Sequence, residues 1–424
     1  MEADSHTLST GRLSLGLNSR GLTFHSLVVT GSTTRDVLVG FEDQESYRER
    51  LFFGSTVGRY ANRLPAGKTV LKTGAEISLN GPDSVCLHGG DSGFDTLPWT
   101  LINRPDSNLF PLDDPEHPVP EPPSDPRAPV THASAMFRLY SPSGNDGFPC
   151  TLETEALVVV QEDETGAESV GQEKKSLGKV KVVLRSRIKE DGDQDIDKGT
   201  PVNLTVHWGF RLDDCHDADI LNHELYIDST ELVHLDDKGL ATGKIDQIPQ
   251  DGAGFDYHSK KQRKIGDSYP EGGIDRNFLL TPRPTSPPTP ISSEPQLVLT
   301  SPRATKDDSR FELEFKTSLA SVQIYSAPGL DGSGPIKKRA HGGERGYDRD
   351  GALFIEFQQP VGTIVHTAAA AAEANGNELA QWLSDRVERL SLDREAKSWE
   401  RDSLLRRGQV WESWVEVDVK EFSS

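Results

Sequence analysis

The stretch Lys179–Ile188, "KVKVVLRSRI", alternates apolar and polar side chains along much of its length. Successive side chains of a β-strand point to opposite faces, so this alternation predicts a strand with one buried face. Parts of Gly351–Gln359, "GALFIEFQQ", and of Trp414–Phe422, "WVEVDVKEF", alternate in the same way. Turn-forming residues separate such stretches, and we find neither a Gly-rich phosphate loop nor sustained β–α alternation. The pattern predicts an all-β fold of antiparallel strands.

The charge balance narrows the classes of partner. The 424 residues include 67 acidic and 46 basic side chains, which gives a formal net charge of −21. We find no basic run longer than "SKKQRK" (Ser259–Lys264). Nucleic acids and anionic membranes are bound by basic patches, so we expect neither as a partner. The negative field also repels acidic ligands, and a neutral small molecule fits better.

The sequence carries no targeting signal that we recognise. No basic start followed by an apolar stretch opens the chain, and no apolar run approaches the roughly 20 residues of a spanning helix. The three cysteines, Cys86, Cys150 and Cys215, lack the spacing of a metal knuckle. We therefore expect a cytoplasmic protein without a signal peptide, and we leave monomer and homodimer open.

Acidic, proline-rich or polar segments interrupt the strand-like pattern. They cannot bury much apolar surface, and they fall between strand-like stretches and not between two complete cores. We therefore predict a single domain over residues 1–424 that carries surface insertions. The insertions are expected at about 103–130, 161–176, 281–309, 330–349 and 367–407.

The last of these insertions has a helical pattern. Leu379, Leu383, Val387 and Leu390 recur at helical spacing with charged residues between them, and Gly376 should break the helix near its start. We predict one or two helices before the final strand. A helix that packs on the sandwich is the ordinary interpretation, and a partner-binding helix is the alternative.

Glu356 interrupts a strongly apolar stretch, "ALFIEFQQP" (Ala352–Pro360). Alternation places it on one strand face with Phe354 and Gln358. If that face points inward, burial raises the pKa of the carboxyl unless it is paired, and such a group can act as a general base near neutral pH. The alternative is that this face points to solvent.

Four other stretches carry polar residues in apolar or Gly-rich settings, and each has an ordinary explanation. His207 follows a β-rich run, where a half-buried histidine satisfied by one backbone carbonyl is common. His88 precedes two glycines and fits a loop. Arg63 fits a solvated surface arginine, and Asp275 fits a turn or a helix N-cap. None of these residues identifies a function alone.

Taken together and in order, these stretches resemble the galactose mutarotase (aldose 1-epimerase) family. "FGSTVGRYANRL" (Phe53–Leu64) resembles the family's Gly-Arg-x-Ala-Asn-Arg segment, and "LHGG" (Leu87–Gly90) its Leu-His-Gly-Gly segment. "SPSGNDGFPCTLE" (Ser141–Glu153) and "PVNLTVHWGFRL" (Pro201–Leu212) are similar to two further segments. "LATGKI" (Leu240–Ile245) and "LRRGQVW" (Leu405–Trp411) resemble two more segments of the family and follow in the same order. The resemblance covers most of the chain outside the insertions.

The resemblance implies a large antiparallel β-sandwich, of the galactose mutarotase-like supersandwich type, with an open sugar cleft and neither a metal nor an organic cofactor. It implies an isomerase that interconverts the α and β anomers of a free aldohexose by ring opening and closure. Glu356 would be the general base and His207 the general acid. The residues that would bind sugar hydroxyls are His88, Arg63, Asp275, Asn62 and Gln323.

The resemblance also suggests a reason for the two glycines after His88. They would let the backbone turn sharply and leave the sugar's approach to the imidazole unobstructed. The two glycines are Gly89 and Gly90.

Several positions depart from the family pattern. Val206 stands where the family has Asn before the catalytic His, and "WGFR" follows where it has Ser-Tyr-Phe-Asn. Arg276 replaces a His after the binding Asp, and Cys150 replaces the Gly after Pro. These changes put the preferred sugar in doubt.

Three alternatives remain open at this stage. A hexose-6-phosphate 1-epimerase of the same fold would need an arginine cluster, for which Arg59, Arg63 and Arg276 are the candidates. A non-catalytic carbohydrate-binding or regulatory protein would need no acid–base pair. A metal site could combine His88, His207 and Glu356, although no local metal spacing supports it.

Overall fold

The computed structural model gives coordinates for most of the chain. The residues it describes are 4–119, 129–163, 174–190, 196–213, 219–259, 263–282, 294–302, 309–342, 345–372, 376–390 and 399–423. None of the helices within these ranges has the length and apolar character needed to cross a membrane.

The described residues are organised mainly as strands. In chain order these are β1 (Ser5–Ser9), β2 (Leu13–Asn18), β3 (Thr23–Thr30), β4 (Thr34–Asp36), β5 (Thr56–Val57), β6 (Arg63–Pro65), β7 (Gly67–Val70), β8 (Glu76–Leu79), β9 (Val85–Leu87), β10 (Thr100–Ile102), β11 (His132–Ser141), β12 (Leu152–Gln161), β13 (Lys174–Ile188), β14 (Thr200–Pro201), β15 (Thr205–Val206), β16 (Trp208–Phe210), β17 (Glu224–Ile227), β18 (Glu231–Leu235), β19 (Ala241–Gln247), β20 (Arg263–Lys264), β21 (Asp275–Leu279), β22 (Leu297–Thr300), β23 (Ser309–Thr317), β24 (Ser321–Tyr325), β25 (Leu353–Gln358), β26 (Leu404–Leu405) and β27 (Trp411–Ser423). The α-helices are α1 (Ser46–Glu49), α2 (Lys338–His341), α3 (Glu378–Arg389) and α4 (Trp399–Asp402).

Two large sheets form the sandwich. One has nine strands in the order β10-β11-β12-β13-β27-β23-β22-β17-β20, and the other has six in the order β16-β25-β24-β21-β18-β19. Strands β1 to β4 form a further sheet, and the remaining described strands pair two by two. The named strand pairs are antiparallel, for example along the register of β13 with β27. The predicted all-β antiparallel class is confirmed, and the three alternating stretches lie in β13, β25 and β27.

The core lies between the two large sheets. Phe315 of β23 contacts Phe357 of β25 at a ring-centroid distance of 5.8 Å and Phe210 of β16 at 5.4 Å. Ile355 and Phe357, two residues apart on β25, belong to this core and are fully buried. Since strand side chains alternate, Phe354 and Glu356 must lie on the opposite face of the six-stranded sheet. That face, away from the core, carries the polar residues described below.

The predicted insertions are partly described. Residues 120–128, 164–173 and most of the proline-rich part of 281–309 lie outside the described residues. The range 281–309 is more than a loop, because it contains Leu297–Thr300, which is β22 in the interior of the nine-stranded sheet. Its alternate apolar side chains, Leu297 and Leu299, are fully buried in the core, and their burial holds this short strand in place.

The helical insertion packs against the six-stranded sheet. Leu379, Leu383 and Val387 of α3 are buried, and the first two join Val233 of β18 and Leu279 of β21 in one apolar cluster. The side chain of Asn377 caps the helix by accepting a hydrogen bond from the Ala380 amide. The predicted helix is confirmed, and its apolar face is used within the chain. Residues 373–375 and 391–398 of this range lie outside the described residues.

We expect Leu383→Ala to destabilise the protein by roughly 2–5 kcal/mol, since it removes a fully buried leucine side chain between α3 and the sheet. Urea unfolding followed by tryptophan fluorescence measures this loss. The matched control is Gln381→Ala, on the exposed side of the same helix, which should change the unfolding free energy by less than about 0.5 kcal/mol. Equal effects of the two substitutions would contradict the packing of α3 described here.

Candidate active site

The outer face of the six-stranded sheet assembles three of the polar residues. Gln323 of β24 lies directly opposite Glu356 of β25, and Asn277 of β21 lies directly opposite Gln323. Residues directly opposite in an antiparallel pair share a face, and so do residues two apart along a strand. Asp275, two residues before Asn277, therefore joins Glu356 and Gln323. Asp275 is the first residue of β21. It therefore lies neither in a turn nor at a helix N-cap, which were its ordinary explanations.

His207 stands where the chain changes strand partner. The preceding β15 pairs with β5, and the following β16 pairs with β25. The His207 backbone amide donates to the Ser55 carbonyl at 2.8 Å, and its carbonyl accepts from the Gly54 amide at 2.9 Å. Backbone pairing on both sides thus fixes the imidazole next to Glu356. The Nε2 atom of His207 lies 3.3 Å from the Oε1 atom of Glu356.

His88 and Asn62 hold each other through their backbones. The His88 amide donates to the Asn62 carbonyl at 3.1 Å, and the Asn62 amide donates to the His88 Nδ1 atom at 3.2 Å. Both residues adopt left-handed conformations, with φ of 52° and 66°. Because Nδ1 accepts a hydrogen bond, the proton of the neutral ring resides on Nε2. His88 therefore faces the cleft as a hydrogen-bond donor.

The glycines after His88 serve the packing of the turn and not the cleft. Gly89 and Gly90 have φ of 91° and 97°, so the expected sharp turn is present. A Cβ on Gly89 would lie 2.2 Å from the Gly58 carbonyl oxygen, and one on Gly90 would lie 2.7 Å from Asp146 Oδ1. The nearest obstacles are thus protein atoms. The expectation that these glycines clear a path for the sugar is wrong.

Arg59 ties this turn to the segment after β11. Its fully buried guanidinium donates to the carbonyl oxygens of Ser141, Pro142, Pro149 and Cys150 at 2.8 to 3.2 Å. Cys150 adopts φ of 64°, so the chain keeps a left-handed turn where glycine would be the easiest residue. Arg59 is therefore a structural residue that supports the segment carrying Asn62 and Arg63.

A chain of polar contacts links the two walls of the cleft. Asp275 accepts hydrogen bonds from Arg63 Nη2 at 3.1 Å and from Gln323 Nε2 at 2.5 Å. The Arg63 and Asp275 side chains are about one-third exposed, at 29% and 35%. The Arg276 guanidinium instead lies over the ring of Phe255, 5.5 Å from the ring centroid. Arg63 and Asp275 form an ion pair whose two charges cancel, so the pair adds no net charge to the cleft.

These residues enclose a cleft of about 280 Å³, close to the lower end of the range for small-molecule sites. All seven site residues predicted from the sequence line it. The lining residues are Leu51, Phe52, Phe53, Asn62, Arg63, Leu87, His88, His207, Asp275, Gln323, Tyr325, Ala327, Leu330, Phe354 and Glu356. Glu356 Oε2 and Gln323 Oε1 are buried and have no hydrogen-bond partner among the described residues. Buried polar atoms normally have partners, so both are suited to meet a polar ligand.

Burial sets the protonation of the two central residues. Glu356 is 2% exposed, and this loss of hydration raises the pKa of its carboxyl to about 8, with Asp275 adding to the rise and Arg63 opposing it. Burial lowers the pKa of His207 to about 4, although nearby backbone carbonyls act the other way. Burial also holds the pKa of His88 well below its usual range, and His207 and Arg63 reinforce this. Between these limits the Glu356–His207 pair carries a single proton.

A single shared proton allows two forms of the pair. Burial favours the form with a protonated carboxyl and a neutral imidazole, because neither group is then charged. Transfer of the proton across the 3.3 Å contact gives a carboxylate and an imidazolium with the same total charge. This distance is slightly longer than the roughly 2.6–3.2 Å of a proton-transfer contact, as is frequent in sites without substrate. The pair can therefore both accept and deliver a proton.

The same residues also have the composition of a metal site. Ligand atoms of His88, His207 and Glu356 lie within 4.8 Å of one another. A metal would need the lone pair of the His88 Nε2 atom, and the hydrogen bond from the Asn62 amide to Nδ1 keeps a proton on Nε2. The donor chemistry of His88 thus favours a hydroxyl ligand over a cation.

Aromatic residues of the cleft were missed from the sequence. Phe354 contacts the His207 ring at 4.9 Å, and Phe52 contacts the His88 ring at 4.6 Å. Alternation along β25 could have identified Phe354, since it lies on the same face as Glu356. Tyr325, two residues after Gln323 on β24, carries the same signal. No pattern marks Phe52, which lies in a turn.

The sequence is similar to that of known proteins over most of its length. The sequence profile described as aldose 1-epimerase matches residues 4–417. The chain is 28% identical to a galactose mutarotase of Bos taurus over 360 residues, 83% of this chain and 84% of the relative. It is 24% identical to an aldose 1-epimerase of Escherichia coli (strain K12) over 318 residues, 72% of each chain.

Solved structures show the same fold. A GalM/aldose epimerase homologue from C. elegans superimposes with a TM-score of 0.66 at 17% identity and covers 99% of both chains. A galactose 1-epimerase from Lactobacillus acidophilus NCFM superimposes with a TM-score of 0.64 at 18% identity, covering 100% of this chain and 96% of its own. The predicted sandwich is thereby confirmed.

We expect Glu356→Gln to stabilise the folded protein at pH 7 by about 3 kcal/mol. The folded pKa of Glu356 is raised, so its contribution to stability is complete below the ordinary value near 4.5 and is lost as the pH rises towards 8. Glutamine does not titrate, and the gain should therefore grow from near zero at pH 4.5 to a plateau above pH 8. Urea unfolding at several pH values measures it. A gain that is constant with pH would contradict the raised pKa.

Proposed function

The chain belongs to the aldose 1-epimerase family, and on that premise we propose that it interconverts the α and β anomers of a neutral, free aldohexose. The observation that carries the proposal is the buried contact between His207 Nε2 and Glu356 Oε1 at the wall of a sugar-sized cleft. A protein that only binds sugars needs no such acid–base pair. The activity is that of an isomerase.

Ring opening uses the charged form of the pair. The Glu356 carboxylate takes the proton of the anomeric hydroxyl, while the His207 imidazolium gives its proton to the ring oxygen. The C1–O5 bond breaks as the C1–O1 bond becomes a carbonyl, and both protons are accounted for. Each positioned proton transfer contributes about 10²–10⁴-fold to the rate.

Ring closure reverses the roles. After opening, the carboxyl is protonated and the imidazole is neutral, which is the form that burial favours. Rotation about the C1–C2 bond presents the other face of the aldehyde. His207 then takes the proton of the O5 hydroxyl, Glu356 returns a proton to O1, and the other anomer forms. The pair regains its starting state, so the reaction needs no metal or organic cofactor.

Five residues are assigned to binding. His88 and Arg63 donate hydrogen bonds to sugar hydroxyls, Asp275 accepts them, and Gln323 offers its unpartnered Oε1 atom. Asn62 lines the cleft but its side-chain oxygen accepts from the Arg63 amide at 2.8 Å. Its main contribution is therefore to orient His88 and Arg63.

The cleft favours an unphosphorylated sugar. Of the three arginines that a phosphate site would need, Arg59 is buried among backbone carbonyls and Arg276 lies over Phe255. Arg63 alone lines the cleft, and Asp275 neutralises it. The net charge of −21 also opposes an anionic substrate. Glucose and galactose are the sugars to test, while the cytoplasmic location and a monomeric or homodimeric state stay predictions from the sequence.

Polarimetry of freshly dissolved α-D-glucose and α-D-galactose tests the proposal. We expect wild-type protein to accelerate the change in optical rotation in proportion to its concentration. Glu356→Gln and His207→Asn should each lose at least about 100-fold, because each removes one proton transfer. Glu416→Gln and His132→Asn, on the nine-stranded sheet, are matched controls that should keep wild-type rates. Folded wild-type protein that accelerates neither sugar would refute the proposed activity on these aldoses.

The pH profile tests the shared proton. Activity requires one proton on the pair, so we expect kcat/KM to stay nearly level from about pH 4 to about pH 8. Below this range His207 gains a second proton, and above it Glu356 loses the last one. After subtraction of the uncatalysed rate, the profile should fall on both sides. A fall centred near pH 6.5 would indicate a hydrated, ordinary histidine and contradict this assignment.

A further inference from the structure

Phe52 holds an unusual backbone conformation at the mouth of the cleft. It lies in the turn between α1 and β5 with φ of 69°, in the left-handed region that a bulky side chain rarely adopts. Gly54, two residues later, ties this turn to the rest of the site, since its amide donates to the His207 carbonyl and its carbonyl accepts from the Phe24 amide. A strained non-glycine residue in an active-site turn calls for a reason.

The ring of Phe52 covers both histidines. Its centroid lies 4.6 Å from the His88 ring and 6.0 Å from the His207 ring. Phe354 contacts His207 from another direction at 4.9 Å. Phe52 itself is half-buried, with contacts to the imidazoles and part of its surface in solvent. It is therefore an outer wall between water and the catalytic pair.

Other ionisable groups border the same region. Glu356, Arg63 and Asp275 line the cleft in front of Phe52. Behind it, Arg20 and Asp95 line a separate cavity of only about 20 Å³, which has room for one water molecule. Phe52 and Phe53 separate the two spaces, since both residues line both of them. Removing the Phe52 ring would open a path for water to the histidines from both sides.

We propose that Phe52 is a positioning residue whose strained turn presses its ring over His88 and His207 and keeps the acid–base pair dry. This inference rests on the proposed anomer interconversion at the same site. The ring makes no contact with the breaking C1–O5 bond. It sets instead the range of pH over which the Glu356–His207 pair keeps its single proton.

The expected effect follows from hydration of the pair. In the dry site the last proton resides on Glu356 and leaves near pH 8. In a hydrated site the last proton resides on His207, whose ordinary pKa is about 6.5. The upper limit of activity should therefore move from about pH 8 towards pH 6.5 when the ring is removed, a shift of roughly 1–1.5 units. The acid limit is less informative, because the pair gains its second proton near pH 4 in either case: on His207 in the dry site and on the Glu356 carboxyl in a hydrated one.

The experiment compares kcat/KM from pH 4 to pH 9 for wild type, Phe52→Gly and Phe52→Tyr. Glycine accepts the left-handed backbone, so Phe52→Gly removes the ring without leaving a strained turn. We expect it to lower the upper pH limit by roughly 1–1.5 units, and we expect Phe52→Tyr to keep the wild-type limit. Phe137→Leu, a change of a fully buried core residue on β11 that lines neither space, is the packing control and should leave the limit unchanged.

A second measurement keeps the inference testable if activity is low. The titration of His207 can be followed by NMR of the histidine side chains, with His207→Asn for assignment. In Phe52→Gly its pKa should rise from about 4 towards 6.5. An unchanged upper pH limit together with an unchanged His207 titration in a folded Phe52→Gly would overturn the inference. Wild-type protein without any activity would instead refute the proposed function on which it rests.

Discussion

The candidate active site depends on keeping the Glu356 carboxyl dry beside the His207 imidazole. Glu356 is buried on the outer face of the six-stranded sheet, 3.3 Å from His207, and no lysine or arginine in the described part of the chain forms a salt bridge with it. Such a group favours its neutral form, and a neutral imidazole next to it does the same. The result is a pair with a single proton and no net charge. In the proposed reaction it gives and takes a proton at two atoms of the sugar without any change in its total charge, and the fold bears the cost of burying it.

The sandwich meets this demand by giving the two faces of one sheet different tasks. Ile355 and Phe357 anchor β25 in the core, and the strand between them then has no freedom to turn Glu356 into water. The same register sets Gln323 and Asp275 beside it, so that rigid strands and not loops position these groups. Loops supply the other wall, where backbone hydrogen bonds fix His207, His88 and Asn62. The buried guanidinium of Arg59 in turn braces that wall.

The sequence predicts strands and helices where apolar side chains repeat with a regular period. Alternation predicts β13, β25 and β27, and the helical spacing of Leu379, Leu383 and Val387 predicts α3. Alternation also states that Glu356 lies on one face of β25 but cannot say which face is buried, because that depends on distant strands. The roles of Gly89 and Gly90 were misjudged for a similar reason: their neighbours, Gly58 and Asp146, are brought there by tertiary packing. The place of Phe52 in the cleft could not be predicted from the sequence, because a turn has no periodic pattern of side chains.

Infrared difference spectroscopy of the carboxyl group shows directly whether Glu356 carries a proton at neutral pH, as burial in a dry site requires. Spectra of wild type minus Glu356→Gln, recorded between pH 5 and pH 9, isolate this one group. We predict a protonated-carboxyl band at pH 6 that is replaced by carboxylate bands with a midpoint near pH 8. A carboxylate already present at pH 6 would contradict it.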